Sequence, residues 1–183
     1  MSRSSKGRLL SFIALACCIT PPSLAGDGTG PKVKVAGLAG LYVHRAVQGA
    51  QQRLADARCS AVLSDFKSES TGEPLASILE TKAVTPQAYL ATIRFVSGSE
   101  DRVCATGQGF AGMRRAGDDV VYVCPARFRD LAQRDSKQAE AVVIHEMLHT
   151  LGLGENPPSS LEITAKVMQR CVDLSGTRTA AAR

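Results

Sequence analysis

The sequence predicts an α+β fold: a small mixed sheet packed on an early helix and a later, longer helix, with a short helical part after them. Three observations predict it. Val43, Val47, Leu54 and Ala57 recur near a helical period between Leu41 and Leu63, with Arg, Gln and Asp between them. Apart from a short strand at Lys32–Val35 and an ambiguous segment at Leu75–Glu80, the strand-like runs lie in the middle of the chain, from Ala91 to Cys124. A second helical pattern, with a cap before it and a glycine after it, runs from Asp135 to Leu151. Strands grouped between helices suit an α+β class better than alternating βαβ units.

Taken in order, Gly26 to Gly40 is glycine-rich and reads as a flexible N-terminal stretch with a short strand at Lys32–Val35. The early helix follows, with His44 near its start as an ordinary exposed or satisfied side chain. Ser64 to Glu73 is polar, and Thr71-Gly72-Glu73-Pro74 is a breaker. Leu75–Glu80 fits a short helix or strand. Pro86 to Leu90 leads into a strand at Ala91–Val96, then a turn at Ser97–Asp101 and a second short strand at Arg102–Cys104. Gly107 to Gly117 carries four glycines without a P-loop Gly-Lys-Ser/Thr ending, so it reads as a loop. Val120–Cys124 is the strongest strand signal and stops at Pro125. Ala126–Leu131 begins a helical turn. Asp135 and Gln138 are spaced as N-cap and N3 of the next helix, which Gly152 ends in a left-handed conformation. Asn156-Pro157-Pro158 forbids helix, and Ser159 to Glu162 restarts one as a second capping box. Its apolar face is Ile163, Val167, Cys171 and Leu174. The one domain spans 41–175, and 176–183 is a disordered tail.

Of the 183 residues, 44% are hydrophobic, which suffices for a core, but only 4% are aromatic and none is Trp. An aromatic platform for carbohydrate or nucleic acid is therefore not expected. Arg3, Lys6 and Arg8, an apolar run from Leu9 to Ile19, Pro21-Pro22 and Ser23-Leu24-Ala25 have the order of an export signal cut after Ala25. Its removal takes away three positive charges and no negative one, so the net charge falls from +5 to +2. Basicity thus gives no reason to expect a nucleic-acid partner. The expected location is secreted or periplasmic, with no membrane attachment after cleavage; Ala14-Leu15-Ala16-Cys17 keeps a lipid anchor as a minor alternative. Cys59, Cys104, Cys124 and Cys171 remain after the cut, an even number suited to an oxidising compartment. Three pairings are possible. Cys104–Cys124 is favoured because each cysteine lies on or beside an expected strand, and Cys59–Cys171 follows by remainder. A bridge of that span stabilises by roughly 3–5 kcal/mol if unstrained. The spacings contain no C-x-x-C, which argues against a cysteine zinc site.

The motif that carries chemistry is His145-Glu146-Met147-Leu148-His149, continued to Gly152 and Glu155. Two of the chain's three histidines are in it. At i and i+4 of a helix both imidazoles point one way, toward one ion, and Glu146 is placed to take a proton from a water there. The stretch from His145 to Glu155 resembles the zincin metallopeptidases, and its spacing resembles the metzincin pattern H-E-x-x-H-x-x-G-x-x-H. The resemblance spans about eleven residues of motif, with a looser match of architecture. It implies a zincin-like fold, Zn²⁺ as cofactor, and a zinc metalloendopeptidase acting on a peptide or protein substrate. Glu146 would be the general base, and His145, His149 and the residue at position 155 the metal ligands.

Position 155 is Glu where the pattern has His. A carboxylate is an ordinary zinc ligand, so Glu155 can substitute. Glu162 is the rival ligand, with a capping role as its ordinary reading. Metzincins also have a Met turn beneath the metal, for which Met168, in helical surroundings, is a poor match. No Tyr or His follows His149 to stabilise an oxyanion; Tyr42, Tyr89, Tyr122 and Arg170 stay open for that role. An exported metal-binding or interaction protein without hydrolytic activity is the alternative, and a disulfide-stapled domain without metal is a third.

Overall fold

The computed structural model describes residues 32–106, 109–113 and 115–172. The expected export signal, the tail at 176–183, and Leu174 lie outside the described residues.

The fold is α+β. Lys32–Lys34 forms β1, and helix α1 spans Gly37–Leu54, four residues ahead of the expected start at Leu41. Leu54 also ends it. The expected helix to Leu63 is instead broken at Ala55-Asp56, where Asp56 caps a separate turn, α2 (Ala57–Ser60), followed by a 3-10 turn at Ala61–Ser64. Helix α3 is Leu75–Thr81.

Two expected strands are corrected. Pro86–Thr92 is a helix, α4, and the strand β2 is confined to Arg94–Ser97. The side chain of Thr85 accepts from the Ala88 amide, and Pro86 sits at the first turn, where its missing N–H costs nothing. Arg102–Thr106 is also a short helix, α5, not a strand. Part of the glycine-rich loop, Ala111–Gly112, pairs as β3, and Val120–Val123 is β4. Helix α6 is Pro125–Arg134, α7 is Ser136–Thr150 and α8 is Ser160–Val167, continued by a π-helical turn at Met168–Val172.

The sheet order is β1-β2-β4-β3. β1, β2 and β4 are parallel, with Phe95 beside Val33 and Val121, and β3 runs antiparallel to β4 at the edge. Val121 and Val123 point from β4 into the core, and the period-2 alternation leaves Val120 and Tyr122 half-buried on the other face. Against the core lies the apolar stripe of α1: Val43, Ala46, Val47, Ala50 and Leu54, at the spacings that keep one helix face. Each Val or Leu so buried stabilises by about 1.5–3 kcal/mol.

Helix α7 is the centre of the molecule. From Val143 to Thr150 every residue is buried, so the helix is covered on all sides. It packs on α1, α6 and α8 and also touches β3. Asp135 caps it by accepting from the Gln138 amide at 2.9 Å. Arg53 of α1 pairs with Glu140 of α7 and donates to the Cys171 carbonyl at 2.7 Å, so three elements meet at one guanidinium.

Cys59 is bonded to Cys171, and Cys104 to Cys124. The first bridge ties α2 to the π-helical turn. The second has the expected partners, although Cys104 lies on a helix. Among the described residues no helix is long and apolar enough to cross a membrane.

Candidate metal centre

Both histidines of the motif lie on the half of α7 nearest its C-terminal end, one turn apart. Their Nε2 atoms face each other at 3.0 Å. Leu151 caps the helix, and Gly152, at φ +95, turns the chain back. A side chain is strained at that φ, so glycine is what the turn requires. The reversal brings Glu155 over the histidines: its Oε1 is 3.7 Å from His145 Nε2 and 3.5 Å from His149 Nε2. The three residues form a group that could hold a metal ion.

The donor chemistry fits such an ion. His149 Nδ1 lies 2.7 Å from the Leu153 carbonyl, which only accepts, so Nδ1 carries the proton and Nε2 presents its lone pair. His145 Nδ1 lies 3.0 Å from the Thr164 hydroxyl of α8, which holds that ring in place. Nitrogen lone pairs and a carboxylate oxygen converging on one point repel unless a cation lies between them. For ligands about 2.0–2.1 Å from a tetrahedral ion, neighbouring ligand atoms are about 3.3 Å apart, and the observed separations bracket that value. Burial holds the His149 imidazole below its ordinary pKa, with the Leu153 carbonyl acting against it, so the ring stays neutral as a ligand must. The His145 imidazole beside Glu155 holds that carboxyl below the usual range, against the effect of partial burial, so it is ionised.

Glu146 does not join the group. It is buried, and its Oε2 finds no hydrogen-bond partner in the protein. Burial pushes its carboxyl up to about 7, partly offset by His145 and reinforced by Glu155. A buried unpartnered carboxyl oxygen costs about 1–3 kcal/mol and is a recurrent mark of a functional group. It opens on a cleft of about 440 Å³ that also contains His145, His149 and Glu155, with Ala111 and Gly112 of the edge strand, Met113 and Arg115 on its wall.

No protein-family model matches this chain, and neither does any curated protein or solved structure.

The rival ligand is engaged elsewhere. Glu162 is the N3 member of a complete capping box: its Oε2 accepts from the Ser159 amide and hydroxyl, both at 2.7 Å, and the Ser159 hydroxyl accepts from its amide. Of the residues left open as oxyanion partners, Tyr42, Tyr89, Tyr122 and Arg170, none lines the metal cleft. Arg170 is held by both oxygens of Asp65 at 2.8 Å, and the Tyr89 hydroxyl donates to the Thr150 carbonyl at 3.0 Å. Among the described residues, the cation that lines the cleft is Arg115. Its loop is pinned to the centre, because the Gly117 amide donates to the His149 carbonyl at 2.8 Å. His44 is exposed on α1 and outside the group.

Sequence reading did not reach Thr164, the Leu153 carbonyl or Arg115. The first two are supports that only the turn at Gly152 and the docking of α8 bring to the rings. Arg115 lies thirty residues ahead of the motif in a stretch with no periodicity.

Proposed function

We propose that this chain is an exported zinc-dependent endopeptidase on a zincin-like fold. The observation that carries the reading is the convergence of His145, His149 and Glu155 beside a buried, unpartnered Glu146 in an open cleft. Two imidazoles and one carboxylate with room for a further ligand suit catalytic zinc better than a closed structural site. The ion, when bound, supplies Lewis acidity: it makes water nucleophilic near neutral pH and polarises a peptide carbonyl.

The protein's own groups do the rest. Glu146 is the general base that takes the proton of the attacking water and returns it to the leaving amine. Thr164 and the Leu153 carbonyl hold the imidazoles in the ligating orientation. The edge strand β3, with a neighbour on one side only, lines the cleft and offers backbone groups to an extended peptide. Two disulfides agree with an oxidising compartment outside the cytosol.

The second reading is a metal-binding protein without hydrolytic activity. It is favoured by the cleft wall, which carries no Tyr among the described residues. Cleavage of an unbiased peptide mixture separates the two. The wild type is compared with Glu146→Ala at matched zinc content. The peptidase reading expects cleavage by the wild type and a fall of roughly 10²–10⁴-fold in the variant, with zinc retained. Zinc-loaded wild type that cleaves nothing supports the second reading, and an active Glu146→Ala protein overturns the role of Glu146.

A further inference from the structure

A second cavity, of about 750 Å³, adjoins the metal cleft. The two share Glu69, Arg115 and Ala116 as lining residues, so these three border both cavities. Glu69 is built into this junction. Its amide donates to the Gly152 carbonyl at 2.8 Å, which fixes its backbone on the turn that ends the metal helix. Ser68, before it, packs on Gly152 and is itself buried. The Glu69 carboxylate lies over Gly154, where a Cβ would overlap it. Gly154 does not have a positive φ, so its backbone does not demand glycine. The space above it is what the Glu69 side chain uses.

The charges around the junction do not cancel this carboxylate. Among the described residues it makes no hydrogen bond or ion pair. Arg115, which lines both cavities, is 85% exposed at its side chain and lies 3.7 Å from Asp118. Asp119 in the wider cavity is paired with Arg94 at 2.8 Å. Glu73 and Lys82 complete the charged lining of that cavity. Glu146 and Glu155 are used at the metal centre, so Glu69 is the carboxylate of the cleft that the chemistry leaves free.

Resting on the peptidase reading above, we propose that Glu69 is a specificity-determining residue that takes a cationic Lys or Arg side chain of the peptide substrate at the junction of the two cavities. Glu69 is exposed and its carboxylate lies over Gly154, so a guanidinium or ammonium entering there meets an accessible anion and makes a charge-assisted hydrogen bond with it. An acidic side chain at the same point meets that carboxylate and is disfavoured.

The test reads binding first and cleavage separately. Labelled, terminally blocked hexapeptides carry one Arg or one Glu at each position in turn in an Ala/Ser background. They are titrated into the zinc-loaded Glu146→Ala protein and followed by fluorescence anisotropy. The best Arg peptide is expected to bind about tenfold more tightly than the best Glu peptide. Glu69→Gln removes that difference, Glu69→Arg reverses it, and Gly154→Ala, which displaces the carboxylate, weakens it. Equal affinities, no binding of either set, or a preference that survives in Glu69→Gln overturns the assignment of Glu69. Cleavage by the wild type is then measured on the same peptides. An Arg preference in binding with no cleavage keeps Glu69 in its role and sinks the peptidase reading; cleavage without that preference does the reverse.

Discussion

At the scale of the residue, Glu146 and His149 set opposite pH dependences on the metal-free protein. The Glu146 carboxyl is raised to about 7 in the fold, above its unfolded value, so between those values the folded state holds more protons. Its effect is absent below pH 4.5, and stability falls as pH rises through 7. The His149 imidazole is lowered, so its effect is absent above pH 6.5 and stability falls as pH drops below that. Glu146→Gln removes the first dependence and keeps the second. We expect the metal-free variant to match the wild type near pH 4 and to exceed it at pH 8 by on the order of 3 kcal/mol, as read by urea unfolding. Parallel curves for the two proteins across that range would contradict the burial of Glu146. The histidines and Glu146 were legible in the sequence because i, i+4 spacing on a helix is a local property. Glu69 was not, since it reaches the site through the return of a distant loop onto Gly152.

At the scale of the element, the centre depends on α8 as well as on α7. Thr164 is on α8, and its hydroxyl is what fixes the His145 ring. Thr164→Val keeps the shape and removes the hydroxyl. It is expected to weaken zinc binding roughly 10–100-fold with little change in far-UV circular dichroism. Unchanged zinc affinity would mean that the ring is oriented by packing alone. The elements that were readable have strong local signals: the cap at Asp135, the stop at Gly152, the box at Ser159 and the alternation in β4. The two misread strands show where such signals compete. At Ala91–Val96 the strand-forming run drew the boundary too early, although Thr85-Pro86 is a helix start by its own chemistry. At Arg102–Thr106 five residues are too few for a helical period to show, and Val103-Cys104 alone resembles a strand.

At the scale of the whole molecule, one face of the metal cleft comes from the chain between Cys104 and Cys124, and the ligands come from the chain after Glu140. The α+β class could be read from the grouping of strands between helices. The parallel order β1-β2-β4 with β3 at the edge could not, because pairing partners are set by packing against α1 and α7 rather than by any one segment. Counting left three disulfide pairings, and strand proximity chose the right one although Cys104 lies on α5: its sulfur packs on the turn at Gly98, beside Tyr122 of β4. The site, the cleft and the expected chemistry all depend on one ion being held by His145, His149 and Glu155. The most direct measurement is zinc titration by calorimetry of the wild type, Glu155→Gln and Glu162→Gln. One zinc per chain is expected in the wild type, with affinity at least about tenfold lower in Glu155→Gln and nearly unchanged in Glu162→Gln. Full affinity in Glu155→Gln, or a loss confined to Glu162→Gln, would contradict this centre.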